Sequence, residues 1–109
     1  MRRGREGLEA PIRDAIYSWL RYSRPRWLVW RDKQPAKKAK CLFPESSGVA
    51  DVLALTGSGR FIAIEVKRSE KLAPSLAQRE FLTDVNRNGG LGVCVGSLEE
   101  ARRDLEGIS

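Results

Sequence analysis

The stretch "IAIEVKRS" (62–69) places an acid and a base two residues apart within the pattern of a β-strand. Side chains at positions i and i+2 of a strand project from the same face. Glu65 and Lys67 therefore point together from one side of the strand, where apolar side chains are expected. Either the two groups form an edge-strand or surface ion pair, or they have a chemical role.

A second acid, Asp51, favours the chemical role. The turn "TGSG" (56–59) predicts a hairpin between strands at 49–55 and 60–67. If Ser58 is its midpoint, Asp51 lies opposite Glu65, with Cβ atoms about 4.5–5.5 Å apart, where like charges repel. A divalent metal such as Mg²⁺, held by one or two carboxylates with water and phosphate oxygens, would relieve this repulsion. A tight two-residue turn at 57–58 would instead put the carboxylates on opposite faces.

Two predicted helices each direct one polar side chain towards this sheet. Glu9 falls between Ile16 and Leu20 on the helical wheel of the first helix, and Gln78 falls on the apolar face of the second. A polar group on a buried face needs a partner. If the first helix begins after Glu9, that residue becomes instead an acid at the helix start.

The composition excludes several classes of chemistry. The 109 residues include no histidine, so Ser–His triads and histidine zinc sites are impossible, and two cysteines cannot form a four-ligand zinc site. We expect Cys94 to lie in the core and the protein to be soluble and intracellular, without a signal peptide or membrane span. The net charge of +6 indicates a polyanionic partner, and nucleic acid is the first candidate.

The elements that must position these groups belong to one α/β domain covering residues 1–109. Hydrophobic periodicity and turn residues predict helices from about residue 9 or 10 to 22, at 75–87 and from 98 onward, and strands at 26–32, 41–44, 49–55, 60–67 and 91–95. The predicted order is αβββαβα, or the same order with one extra short strand at 41–44. We predict a mixed central sheet with the first helix and the 75–87 helix covering part of the Asp51 face, and a capping box joining Ser97 and Glu100.

Nearly the whole chain, about residues 9 to 106, resembles the VRR-NUC (virus-type replication-repair nuclease) family of the PD-(D/E)XK nuclease superfamily. The resemblance rests on "GVADVLAL", "FIAIEVK", "LAQREFL" and "NGGLGVCVGS". The superfamily motif of an acid, a gap and acid–x–lysine corresponds to Asp51, Glu65 and Lys67. Gly48, Glu9 and Gln78 add to the match, whereas Ala50 stands where a proline is common and Pro11 interrupts the first helix.

The resemblance implies a restriction-endonuclease-like fold and metal-dependent hydrolysis of DNA. Asp51 and Glu65 would hold Mg²⁺ or Mn²⁺, with the Val66 backbone carbonyl a further ligand by resemblance and Glu9 another candidate. Lys67 would orient water and offset negative charge, while Gln78 and Glu9 would complete the metal shell or position water and phosphate. The family also implies branched or four-way, Holliday-junction-like DNA as the substrate.

DNA contacts are expected from the basic loop "KQPAKKAK" (33–40), through Lys37, Lys38 and Lys40, and from Arg68. Paired cuts in a four-way junction call for two sites, so we expect a homodimer with part of 26–44 at the interface. The chief alternative is a basic nucleic-acid-binding module of the same fold without catalysis. A sequence-specific restriction endonuclease ranks lower because no recognition insert is apparent. Trp27 and Trp30 are expected in the core or at an interface rather than as base-stacking platforms.

Overall fold

Four strands of the described chain form one mixed sheet, and three helices flank it. The structure is a computed structural model that describes residues 5–31, 48–67 and 74–109. The elements are, in order, α1 (Arg5–Ser23), β1 (Leu28–Arg31), β2 (Val52–Leu55), β3 (Phe61–Val66), α2 (Leu76–Arg87), β4 (Leu91–Val95) and α3 (Leu98–Leu105). The predicted αβββαβα order is confirmed, and the extra strand predicted at 41–44 lies outside the described residues.

The hairpin between β2 and β3 has the predicted register. The strands lie in the order β1-β2-β3-β4, antiparallel except for the parallel pair β3 and β4. Val52 lies opposite Ile64, which puts the midpoint at Ser58. The turn spans three residues rather than two, and its last residue, Gly59, has a φ of 90° that favours glycine. Asp51 and Glu65 therefore project from the same face of the sheet.

The two faces of the sheet carry different cores. On the apolar face, α1 and α3 cover the sheet, and its buried side chains are Ile16, Leu20, Trp27, Val52, Ala54, Ile62, Ile64, Val66, Val95, Ala101 and Leu105. On the opposite face, here called the carboxylate face because it bears Asp51 and Glu65, α2 packs over a smaller core of Ala50, Leu53, Ala63, Leu82 and Val85. The expectation that α1 also covers the carboxylate face is wrong, because its apolar stripe packs on the other side.

Helix α1 begins earlier than predicted. It starts at Arg5 rather than near Glu9 or Ala10, so Pro11 lies inside the helix with its ring exposed. Proline cannot donate a backbone hydrogen bond to the preceding turn. The helix continues nevertheless because Ile16 and Leu20 are fully buried against the sheet, and tertiary packing of this kind provides most helix stability in proteins. No described helix is both long enough and apolar enough to cross a membrane.

The capping box predicted for α3 is only half formed. The Ser97 hydroxyl accepts from the Glu100 backbone N–H at 3.1 Å, as expected. The Glu100 carboxylate accepts from the N–H of Gly96 at 2.8 Å instead of from that of Ser97. The complete capping box lies at α2, where it bears directly on the candidate site.

Candidate active site

Asp51 and Glu65 meet at the end of the β2–β3 hairpin. Asp51 directly precedes β2, and its Oδ2 accepts from the backbone N–H of Val66 at 2.9 Å. This bond fixes the Asp51 side chain against β3, beside the point where Glu65 emerges. Glu65 is only 2% exposed, and it is the one acidic or basic side chain fully buried in the described part of the chain.

The two oxygens of the Glu65 carboxyl have different surroundings. Oε2 accepts from the Gln78 side-chain amide at 2.8 Å and lies 3.6 Å from the Lys67 ammonium. Oε1 is buried and has no hydrogen-bond partner in the described residues. A buried acceptor without a partner costs about 1–3 kcal/mol, and more when it is charged. The sheet thus holds an unsatisfied oxygen beside a second carboxylate.

Gln78 reaches Glu65 because a capping box fixes it. The Ser75 hydroxyl accepts from the Gln78 N–H at 3.1 Å, and the Gln78 side-chain oxygen accepts from the Ser75 N–H at 2.8 Å. One amide therefore closes the start of α2 with its oxygen and holds Glu65 with its nitrogen. Leu76, the first residue of α2, is 62% exposed, because this turn directs Gln78 towards the sheet.

Gly48 brings the Asp51 segment against the start of α2. Its φ is 89°, and a Cβ at this position would lie 2.5 Å from the carbonyl carbon of Ala77. Only glycine satisfies both conditions without strain or a clash. This close approach sets the Asp51 segment beside the helical turn that carries Gln78.

The electrostatics of the pair follow from burial and like charge. Burial, followed by the negative charge of Asp51, raises the pKa of Glu65 to about 8, although Lys67 acts in the opposite direction. Burial also raises the pKa of Asp51, while the Val66 N–H and the Arg13 guanidinium lower it. Ionisation of both carboxyls is therefore disfavoured unless a cation binds between them.

Helix α1 adds two charged residues near the pair. Glu9 is half-buried, and its charge raises the pKa of both Asp51 and Glu65. Arg13, one turn further along the same helix, lowers the pKa of Asp51 more than Lys67 does. The sequence reasoning missed Arg13, although its i+4 spacing from Glu9 indicates a shared helix face.

Cys94 is also part of the site's surroundings. It lies beside Glu65 in the parallel β3–β4 pairing, and the prediction that it is a core residue is wrong because its side chain is exposed. The core side of β4 is occupied by its alternate residue Val95. Partial burial and then the charge of Glu65 raise the pKa of the thiol to about 11, so the thiol stays protonated at neutral pH.

The donor set fits a metal ion that also uses water and substrate oxygens. Within residues 5–31, 48–67 and 74–109, no three His, Cys, Asp or Glu side chains come together as a metal cluster. A metal-binding role for Glu9 stays a prediction. The unpartnered Oε1 of Glu65 beside Asp51 suits a hard cation such as Mg²⁺, which binds one or two carboxylates and retains other oxygen ligands. The remaining predicted contacts, Lys37, Lys38, Lys40 and Arg68, lie outside the described residues.

Comparison with known proteins returned no match to this chain among family models, curated proteins or solved structures.

Proposed function

We propose that this protein is a divalent-metal-dependent DNA endonuclease that hydrolyses phosphodiester bonds, resembling the VRR-NUC branch of the PD-(D/E)XK superfamily. The observation that carries the proposal is the buried, unpartnered Oε1 of Glu65 on the same face as Asp51. A carboxyl kept only for folding would be expected to have both oxygens satisfied. A cation held between the two carboxylates accounts for this oxygen.

Asp51 and Glu65 would hold Mg²⁺ or Mn²⁺. When bound, such an ion lowers the pKa of water and neutralises charge on a phosphoryl oxygen. The Val66 N–H keeps one Asp51 oxygen in place, and Gln78 keeps one Glu65 oxygen in place, so each carboxylate retains a second oxygen for the cation. The Val66 carbonyl stays a ligand expected only from the family resemblance.

Lys67 and Arg13 supply the positive charge for the substrate. The Lys67 ammonium lies 3.6 Å from Glu65, and its side chain is 13% exposed, so it faces the site from within the protein. From there it would orient the attacking water and offset negative charge as it develops on the phosphoryl group. Arg13 stabilises the carboxylate of Asp51 and would attract a DNA phosphate on the α1 side of the pair.

DNA is the proposed substrate because the net charge is +6 and the carboxylate pair suits phosphoryl chemistry. The preference for branched or four-way DNA comes from the family resemblance alone. The homodimer also stays a prediction, and sedimentation at micromolar concentration tests it.

The deciding experiment incubates the purified protein with linear, flapped and four-way DNA in Mg²⁺, Mn²⁺ or EDTA. We expect cleavage with either metal, none in EDTA, and none in the Asp51→Asn and Glu65→Gln variants. Asp84→Asn and Glu80→Gln, two exposed positions on α2, are the matched controls and should cut normally. Calorimetric titration with Mn²⁺ should show binding to the wild type that both site variants lose.

Cleavage that survives in EDTA or in Asp51→Asn would refute the mechanism. DNA binding without cleavage in any metal, on all three substrates, would favour the alternative of a non-catalytic binding module.

A further inference from the structure

The three tryptophans of this chain lie in different environments. Trp27 is 7% exposed and has the Arg24 guanidinium 5.4 Å from its ring centre. Trp19 has the guanidinium groups of Arg24 and Arg102 at 5.7 and 6.0 Å. Trp30 is 37% exposed, and no described cation lies over its ring. Part of its ring is therefore accessible to a partner. This exposure contradicts a core position, while the alternative of an interface position stays a prediction.

Trp30 lies on the carboxylate face, next to the candidate site. It pairs with Leu53 across β1 and β2. Asp51, which directly precedes β2, is two residues before Leu53 and lies on the same face. Diagonal neighbours of this kind are about 7–8 Å apart, within reach of an aromatic side chain. The indole and the Asp51 carboxylate can therefore contact adjoining parts of a single ligand.

The part of the carboxylate face formed by β1 is open among the described residues. Leu82 and Val85 of α2 pack on Leu53 and Ala63, towards β3 and β4. Leu28, two residues before Trp30 on the same face of β1, is 56% exposed. Of these two exposed side chains, Trp30 is the nearer to Asp51 in the strand register.

We propose that Trp30 is a stacking platform for an unpaired base of the DNA strand that is cut, next to the phosphate that a cation at Asp51 and Glu65 would bind. This assignment rests on the proposed function, and it adds a preference for single-stranded segments within the substrate. Aromatic stacking tolerates any base, because every base has a π-face. A base inside a duplex must first be unstacked at a free-energy cost, so flaps, ends and junction centres would be favoured.

A second copy of the chain fits this surface less well. The exposed parts of Trp30 and Leu28 together amount to on the order of 200 Å², whereas a stable protein interface buries roughly 800 Å² on each partner. One nucleobase matches the available area. The polyanionic backbone attached to it matches the cations Arg13 and Lys67 that flank the carboxylate pair.

The test measures DNA binding in EDTA by fluorescence anisotropy, so that it does not depend on cleavage. Two labelled single-stranded oligonucleotides share one backbone length, and one of them has abasic residues in place of its bases. Trp30→Ala should weaken binding of the base-containing strand by roughly 5- to 150-fold, the range for one stacked base. Binding of the abasic strand should change little. Trp30→Phe should restore most of the loss, and Tyr22→Ala, which removes an exposed aromatic from α1, should have no effect.

Tryptophan emission gives a second readout that does not need the alanine variant to fold. Base-containing DNA should quench the tryptophan emission of the wild type, and Trp30→Phe should lose that quenching. Trp27 is buried, and Trp19 is partly buried with two arginine guanidinium groups near its ring. Equal losses on both strands, or unchanged quenching in Trp30→Phe, would overturn the assignment. So would a dimer, seen by sedimentation, that requires Trp30. Cleavage that is absent while base-dependent binding persists would refute the nuclease proposal but not the platform.

Discussion

The two faces of the sheet are built from the same strands but have different roles. Among the described residues, the apolar face buries eleven hydrophobic side chains, which come from α1, α3, the sheet and Trp27 just before β1. The carboxylate face has a core of five, and the hairpin on that face ends in two carboxyls and a lysine. Ile64 and Glu65 are adjacent in β3, yet they point to opposite faces. The buried carboxyls of the carboxylate face lower the stability of the fold. The difference between the faces indicates that the larger core of the apolar face compensates for this loss.

The largest expected effect is a pH dependence that comes from the carboxylate face alone. The pKa of Glu65 is about 8 in the folded protein, against an ordinary value of 4.5. Between these values the folded state keeps a proton that the unfolded chain releases. The free energy of unfolding should therefore be highest below about pH 4.5 and fall as pH rises to 8. The slope would approach about 1.4 kcal/mol per pH unit, the value for one proton, and Asp51 acts in the same direction.

Urea denaturation in EDTA at several pH values measures this slope. Glu65→Gln should flatten it, and should match or exceed the stability of the wild type at pH 8, because glutamine carries no charge. Glu80→Gln, at an exposed position, should leave the slope unchanged. A wild-type stability that rises between pH 5 and pH 8 would contradict the assignment.

The next effect tests the apolar face. Ile64→Ala removes a fully buried side chain from the larger core, and such changes cost about 2–5 kcal/mol of unfolding free energy. Because Ile64 points away from the carboxyls, cleavage per folded molecule should be nearly normal. Thermal unfolding together with a cleavage assay on the folded fraction measures both. Lost cleavage in a fully folded Ile64→Ala protein would show that the two faces are not separable.

The sequence predicted the hairpin register and the meeting of Asp51, Glu65 and Gln78, because strand alternation and a glycine-containing turn determine these positions locally. It did not predict that α1 packs on the face away from the carboxyls, since amphipathic helices can pack on either side of a sheet. The start of α1 at Arg5 was missed for a related reason: burial of Ile16 and Leu20 outweighs the local cost of a proline in the helix.

The exposure of Cys94 and Trp30 also could not be predicted from the sequence. Both have apolar character and lie in strands, so composition alone suggests burial. Their exposure depends on which part of the sheet α2 leaves uncovered. The position of α2 depends in turn on how it packs against β4. Asn86 of α2 bonds to both the N–H and the carbonyl of Gly92, where a side chain would clash with the Leu82 backbone. Hydrophobic periodicity does not predict such specific contacts between a helix and the strand that follows it.

A smaller effect is expected at the contact between the Asp51 segment and α2. Gly48→Ala combines backbone strain at a φ of 89° with a Cβ 2.5 Å from the Ala77 carbonyl carbon. We expect a loss of roughly 1–3 kcal/mol in unfolding free energy and a clear fall in cleavage, since Asp51 must shift. Gly59→Ala is the matched control, because it has a φ of 90° but nothing within 4 Å of the added Cβ. Similar cleavage in the two variants would show that the close approach of Gly48 to α2 does not position Asp51.

The smallest effect should come from Arg13, which reaches the pair from a helix whose apolar residues pack on the other face. Its guanidinium lowers the pKa of Asp51, so Arg13→Ala should raise that pKa further. Cleavage requires the Asp51 carboxylate, so the variant should lose activity several-fold at acidic pH and recover towards the wild-type rate as pH rises. Arg13→Lys should retain most of the wild-type activity at acidic pH, because lysine keeps the positive charge.

Arg21→Ala is the control. It removes another α1 arginine that bonds instead to the Tyr17 hydroxyl, and its pH–rate profile should match the wild type. If Arg13→Ala instead loses the same fraction of its cleavage activity at every pH, Arg13 acts in DNA binding rather than on the ionisation of Asp51. Helix α1 would then contribute to the carboxylate face only by binding the substrate.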